Sequence, residues 1–327
     1  MKNHNKRYQQ LTQEQRYQIS GLRKTEVTQA AIAEAVGVSG RTISRELKRN
    51  RTENGCDPKV AHIQSVNRRN SAVKANKRDP ATDTIIQESL ALGWSPAAIS
   101  ARMHVECPES SRLSHTTIYR RVEENRKQGG MLYTRLPRFG KKRWKGGKRH
   151  RKAGVAIIPN RVDISSRPEV VEQRSRLGDW EGDLVHGVNA SLVTLVDRAS
   201  RFTLVQRVKR KSKEAVADAL INMLGKVHSA LTVTLDNGGE FADHARVSNE
   251  TGATMYFARP YASWQRGTNE NTNGRLRRFW PKKFDLATLS EQEIEDGVFV
   301  LNLTPRKVLN GLTPLEAFTG RGVALIT

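Results

Sequence analysis

The stretch Gly178–Val208, GDWEGDLVHGVNASLVTLVDRASRFTLVQRV, decides the fold of the larger part of this chain. Trp180–Val185, Ser191–Asp197 and Phe202–Val208 are short runs rich in β-branched and aromatic residues, separated by Gly, Asn and Arg-Ala-Ser turns, so three consecutive strands are expected. Downstream, Ser212–His228 has the periodicity of a long amphipathic helix. Leu231–Leu235 (LTVTL) reads as a strand ending in Asp236-Asn237-Gly238-Gly239, Ala242–Gly252 as a helix and Thr254–Phe257 as a strand. Three strands, a helix, a strand, a helix and a strand describe a mixed five-stranded sheet with helices packed on it.

Upstream the pattern is helical. Leu11–Lys24 reads as a helix opened by a Thr12/Gln15 capping box. Thr28–Val36 follows, Gly37 breaks the pattern, and Ser39 caps Arg41–Asn50, with Ile43 and Leu47 four residues apart. Two helices joined by a glycine-containing turn make a helix-turn-helix, whose second helix presents its N-terminal residues to base edges in the major groove. Those residues include Arg41, Thr42, Ser44 and Arg45, and arginine can read guanine with two hydrogen bonds. The pattern repeats further on. Thr82–Leu92 is followed by Ser95-Pro96 opening Ala97–Met103, and Ser114 caps His115–Glu124. Thr116, Thr117, Arg120 and Arg121 are expected to face DNA there. His104, Cys107 and His115 lack a fourth ligand for zinc.

The charge agrees. The 327 residues include 56 Lys and Arg against 33 Asp and Glu, a net +23. Residues 1–160 hold 33 basic and 13 acidic side chains, and residues 161–327 hold 23 and 20. So positive a first half calls for a polyanion, nucleic acid first. Met131–Lys152 contains ten Lys or Arg and no Asp or Glu, including Lys141, Lys142, Arg143 and Lys145. A segment like that builds no core and is expected to be a linker lying on DNA. No apolar run is long enough for a membrane span, and no apolar stretch follows the basic start as a secretory signal requires. Two cysteines, Cys56 and Cys107, exclude a disulfide framework, and a reducing cytoplasm is expected. The expected divisions are a helix-turn-helix domain at 1–55, a second at 56–128, a basic linker at 129–160 and a catalytic domain at 161–327.

Three carboxylates stand out in the second half. Asp183 lies inside the first strand, Asp236 at the end of a central one, and Glu270 near the start of a helix expected at Thr268–Trp280. Brought together they repel unless a cation joins them, and Mg²⁺ or Mn²⁺ suits an all-oxygen site. Two such ions suit phosphodiester chemistry. On the same helix face as Glu270 lie Asn273 and Arg277, which places Arg277 toward a substrate phosphate. Asp197 is read as capping the Arg198-Ala199-Ser200 turn, and Glu240 as capping the next helix or holding a backbone amide. Ser290–Glu293 and Thr313–Glu316 are read as structural capping boxes.

The strings GDWEGD (178–183), TLDNGGEF (234–241) and PYASWQRGTNEN (260–271), with Pro305-Arg306-Lys307 and Thr313-Pro314, resemble the catalytic blocks of bacterial insertion-sequence transposases of the IS-thirty family. Trp94-Ser95-Pro96, SHTTIY (114–119) and the first helix-turn-helix are similar to that family too. Asp236 and Glu270 have 33 residues between them, as the family's Asp-Asp-Glu triad implies. The resemblance implies all-α helix-turn-helix modules followed by an α/β ribonuclease-H-like catalytic core related to retroviral integrases. It implies Asp183, Asp236 and Glu270 as the metal ligands. The implied partners are double-stranded DNA, both the element's terminal inverted repeats and the target, and further copies of the chain in a homodimer or larger synaptic complex. The implied reaction is cleavage at the element ends and attack of the freed 3′-hydroxyl on target DNA, in a bacterial, nucleoid-associated setting. Two other readings remain at this point: a DNA-binding regulator that keeps the fold without chemistry, and a ribonuclease-H-like nuclease on RNA hybrids. The second leaves the helix-turn-helix modules unexplained.

Overall fold

In the first unit Thr12 and Gln15 form the expected capping box, with reciprocal hydrogen bonds of 3.1 and 2.9 Å, and open α1 (Gln13–Lys24). The computed structural model describes residues 10–51, 56–71, 79–140, 158–259 and 262–326. The chain divides into two compact units, 1–76 and 77–327. After α1 come α2 (Gln29–Val36) and α3 (Gly40–Arg49), joined at Gly37. Gly37 has φ 72°, a left-handed conformation in which glycine carries no steric cost. Leu11, Ile19, Ile32, Ala33, Val36 and Ile43 form the core. At roughly 1.5–3 kcal/mol per large buried apolar side chain this core is thin. A buried ion pair, Arg16 Nε to Glu46 at 2.5 Å, ties α1 to α3. α4 (Pro58–Ser71) packs on α1 in this same unit. The first compact unit therefore includes α4 together with the three helices of the expected 1–55 division.

The second unit begins with α5 (Pro80–Ala91), α6 (Pro96–Glu106) and α7 (His115–Lys127), each capped by the side chain preceding its first residue: Asp79, Ser95 and Ser114. Ile86, Leu90, Trp94, Ile99, Met103, Ile118 and Val122 pack together between them. A 3₁₀ turn at Glu109–Ser111 takes up the long connection before α7, and Leu113 joins the core. Leu132, Tyr133 and Leu136 fold back onto this cluster, so the segment after α7 starts as packed structure.

A short α8 (Glu169–Gln173) leads into the sheet. Its strands are β1 (Asp179–His186), β2 (Ser191–Asp197), β3 (Thr203–Val208), β4 (Thr232–Leu235) and β5 (Thr254–Phe257), in the order β3-β2-β1-β4-β5. β1, β2 and β3 are antiparallel neighbours, whereas β4 and β5 run parallel to β1. This is the mixed five-stranded sheet expected. The period of two sorts the side chains. Trp180 and Leu184 of β1 and Val233 and Leu235 of β4 face α9 (Lys213–Gly225) and α10 (His244–Thr251). Val185 and Leu192 face α11 (Gly267–Phe279) and α12 (Glu291–Leu303) through Leu276, Trp280, Ile294 and Leu301. Asp183 has the parity of Val185 and so lies under α11.

α13 (Pro314–Thr319) follows, opened by the Thr313–Glu316 capping box. Glu316 does more than cap. Both its oxygens accept from the buried Arg102 guanidinium on α6, at 2.6 and 3.0 Å. Arg102 also reaches Glu106 at 2.6 Å and the carbonyls of Gly311 and Val323. Glu106 accepts from the amides of Leu325 and Ile326, both at 2.8 Å, and these two side chains pack on the α5–α7 core. Gly311, at φ 93°, permits the approach: a Cβ there would stand 2.3 Å from the Ala101 carbonyl oxygen. The α5–α7 module and the sheet domain thus form one folded unit.

Candidate active site

The register of β1 and β4 brings two of the expected carboxylates together. Glu181 pairs with Thr234. Two residues further along each strand stand Asp183 and Asp236, on neighbouring strands about 4.8 Å apart and both on the α11 side. Arg266, the residue just before α11, bridges them: Nη1 lies 3.4 Å from Asp183 Oδ1 and Nη2 3.2 Å from Asp236 Oδ2. Nη1 also donates to the Gly182 carbonyl at 3.0 Å. From one turn into α11, Asn273 donates to Asp183 Oδ2 at 2.6 Å, and the Leu184 amide donates to Oδ1. Asp236 Oδ1 accepts from the Gly238 amide at 2.9 Å, which fixes the Asp-Asn-Gly-Gly turn.

Burial pushes the Asp183 carboxyl above its ordinary pKa, and the charge of Asp236 adds to this. Arg266, the Leu184 amide and Asn273 oppose the shift without cancelling it. Glu270 is exposed in the first turn of α11, three residues before Asn273 and on the same flank. Among the described residues no three His, Cys, Asp or Glu side chains stand close enough to hold one metal ion. The structure therefore joins two of the three expected carboxylates and leaves the third at the rim. Arg266 offsets one of the two aspartate charges, and a third carboxylate would add further negative charge to a half-buried site.

The site nevertheless has the chemistry of a divalent-cation site. Its donors are hard carboxylate oxygens, and a cationic guanidinium occupies the position between the aspartates. Asn273 Oδ1, Asn269 Oδ1 and Arg266 Nε are buried there without hydrogen-bond partners. A hard divalent ion suits the carboxylate and amide oxygens among these groups.

Other acids near the site are structural. Glu181 is fully buried, paired with Arg198 at 2.6 Å, and accepts from the Asn269 amide at 3.1 Å. A carboxylate at the first turn of α11 suits the helix dipole. The Asn269 side chain donates to Gly182, so β1 and α11 are tied twice through the residue just before Glu270. Asp179 binds Arg176 and Thr232. Asp197 accepts from the amides of Ala199 and Ser200 and from Gly178, the turn cap expected. Glu240 differs from its expected capping role: its carboxylate pairs with Lys211 at 3.1 Å. Arg277 is half-buried and donates to the carbonyls of His186 and Pro281, anchoring the end of β1.

Sequence reasoning missed Arg266. Its signal was a basic residue four positions before a carboxylate at a helix start, which the two residues' shared helix face could have revealed. Pro260 and Tyr261, and the side chain of Trp264, lie outside the described residues.

On the nucleic-acid side, Arg41, Ser44 and Arg45 of α3 are exposed, and Thr42 is half-buried with its hydroxyl 2.8 Å from Ser39 Oγ. Arg45 and Thr42 border a cleft of about 810 Å³ with Arg49, Arg68 and Arg69. On α7, Thr116 and Arg120 are exposed, and Thr117 bonds the capping Ser114 at 2.9 Å. Arg121 corrects the expectation. It is buried and donates to Thr82 and Asp83 of α5 at 2.7 and 2.9 Å, because position 121 adjoins the core face set by Ile118 and Val122. Lys141, Lys142, Arg143 and Lys145 lie outside the described residues.

Residues 174–263 match the integrase core domain family and residues 7–50 a helix-turn-helix domain family. The transposase for insertion sequence element IS4351 of Bacteroides fragilis is 37% identical over 94% of this chain and 95% of its own length. The chain belongs to the IS30 (IS-thirty) family of transposases. The transposase InsI for insertion sequence element IS30A of Escherichia coli K12 is 35% identical, covering 96% of this chain and 84% of its own. The transposase for insertion sequence element IS1086 of Cupriavidus metallidurans is 36% identical, covering 95% and 94%. The catalytic core domain of BIV integrase superposes on 44% of this transposase and 94% of its own chain, with TM-score 0.36 and 20% identity. This is thus an insertion-sequence transposase with an integrase core and a helix-turn-helix domain, a DNA-cutting and DNA-joining enzyme. Among the described residues no helix is long and apolar enough to cross a membrane.

Proposed function

We propose that this transposase binds the terminal inverted repeats of its element, cleaves at the element ends and joins the freed 3′-hydroxyl to target DNA. The reading rests on one observation: Asp183 and Asp236 converge from adjacent parallel strands on a single guanidinium, under the helix that carries Glu270. In this reading Asp183, Asp236 and Glu270 hold Mg²⁺, with Mn²⁺ as substitute and two ions per site. Divalent cations bound there supply positive charge at the attacking and leaving oxygens of a phosphodiester. The chain does the rest. Asn273 and the Leu184 amide orient Asp183, the Gly238 amide orients Asp236, and Glu181 sets the start of α11. Arg41, Thr42, Ser44 and Arg45, with Thr116, Thr117 and Arg120, contact the ends, and Lys141, Lys142, Arg143 and Lys145 contact backbone phosphates. Pairing two ends calls for a homodimer or larger complex, working at the bacterial nucleoid.

The test is incubation of the protein with labelled element-end DNA and Mg²⁺, followed for nicking and strand joining. Asp183→Asn, Asp236→Asn and Glu270→Gln should each lower both by orders of magnitude while leaving DNA binding intact. The double variants should be no worse than the singles, because the carboxylates act as one unit. Glu240→Gln, which alters only a pairing with Lys211, is the control and should retain most activity. Triad variants as active as wild type would hand the chain to the regulator reading.

A further inference from the structure

On the flank of α11 turned away from Asn273, a cavity of about 270 Å³ opens beside the helix's first turn. Arg174, Arg201, Arg275, Arg306 and Lys307 line it, with Thr268 at its helix wall. Among the described residues none of these five cations has a carboxylate at ion-pair distance. The acids whose fields reach them are already committed: Glu181, which acts on Arg201 and Arg174, to Arg198 and the Asn269 amide, and Asp197, which acts on Arg201, to the amides of Gly178, Ala199 and Ser200. Arg306 is 5% exposed. Its Nη2 donates to the Leu301 carbonyl, but Nη1 is buried with no partner. Arg201 donates to Thr268 Oγ1 at 2.8 Å, and Arg275 to Asn271 at 3.0 Å, so both heads are held at the cavity by neutral groups. The start of α11 adds the positive end of a 13-residue helix, and its N-cap, Arg266, supplies no side-chain cap.

We propose that this cavity is a phosphate-binding site that takes a phosphodiester of the DNA backbone, on the side of α11 opposite the candidate active site. Unpaired cations gathered in a half-buried cleft are costly unless an anion meets them. Burial, then neighbouring guanidinium charge, lowers the pKa of Arg201 to about 10, and likewise that of Arg275. A tetrahedral oxyanion matches arginine donors and helix amides together. The phosphate site stands on these observations alone; DNA as the source of the phosphate rests on the proposed end-joining reading.

The test uses the full chain. Inorganic phosphate is titrated against chloride at equal ionic strength, and the melting temperature is followed for wild type, Arg201→Gln, Arg275→Gln and Lys307→Gln. Element-end DNA is then titrated across salt. Phosphate should raise the wild-type melting temperature saturably beyond chloride, and the variants should lose most of that gain. Their slope of log K against log salt should fall in magnitude by about 0.9 for each DNA phosphate left without its cation. Lys307 is exposed, so its variant guards against a folding failure, and Arg275→Lys should keep part of the gain. Phosphate acting no better than chloride on wild type overturns the site, as does a gain undiminished in all variants. A gain lost in the variants with an unchanged DNA slope overturns the backbone phosphodiester in favour of free phosphate. A wild type that fails to cut element ends yet shows the phosphate gain removes the end-joining reading and leaves the anion site standing.

Discussion

Arg266 holds together two aspartates that would otherwise repel. With Arg266→Gln the pair loses its counter-charge, at a cost of roughly 2–3 kcal/mol for partners this exposed. The melting temperature without divalent cation should fall by about 5–10 °C. Mg²⁺ should restore most of the loss by taking over the neutralisation, and thermal unfolding with and without Mg²⁺ checks both halves. A variant as stable as wild type without Mg²⁺ would show that Arg266 carries no such load. Two neighbouring arginines on α7 separate in the same way. Arg120 is exposed, so Arg120→Ala should weaken DNA binding and leave stability within about 0.5 kcal/mol. Arg121→Ala removes a buried donor from Thr82 and Asp83 and should cost roughly 1–3 kcal/mol, with DNA affinity falling only as far as folding does. Binding and urea titrations on both variants settle the assignment. At this scale the sequence was uneven. Asp183 and Asp236 were legible because a carboxylate in or just after an apolar strand has few bland explanations. Arg121 was not, because its partners come from a helix 38 residues away.

The helix α11 matters more than any single residue on it. Its start is fixed by Glu181, a buried acid that touches no substrate. Glu181→Gln keeps the shape but leaves Arg198, among the described residues, with only the exposed Glu172 as carboxylate partner, and weakens the bond to the Asn269 amide. Strand joining should fall by about tenfold or more, as expected when a supporting contact lets a reacting group drift. The DNA affinity should hold. Raising Mg²⁺ should recover part of the rate if the defect lies in where Glu270 stands. A variant with full activity at every Mg²⁺ level would remove Glu181 from the positioning frame. The strands were the most readable elements: Ser191–Asp197 and Thr254–Phe257 were placed to the residue by apolar β-branched runs ending at turn residues. The helix α4 went unread, since its polar face and mixed composition carry little periodicity and its place is set by packing on α1.

For the second unit as a whole, the decisive contact is Arg102 with Glu316. Burial alone would raise the Glu316 carboxyl, but Arg102 and the amides of Thr313 and Val323 outweigh it and hold the pKa at about 2, against 4.5 ordinarily. A carboxyl depressed in the folded state contributes stability above the unfolded pKa and loses it as pH falls. Stability should therefore drop by about 3 kcal/mol between pH 4.5 and 2. In Glu316→Gln that pH dependence should flatten, and the protein should already be weaker at pH 7; urea unfolding across pH reads both. This joint was hidden in the sequence because Thr313–Glu316 reads as a complete local motif, and nothing nearby announces a partner 214 residues away. The same distance sets a clock. A ribosome adding roughly 5–20 residues per second needs on the order of 10–40 s to go from Arg102 to Glu316. For most of that interval α5–α7 are already synthesised, with Glu106 as the carboxylate beside Arg102. The second helical module is thus made early and finished late, completed only in a chain whose catalytic core has already been synthesised.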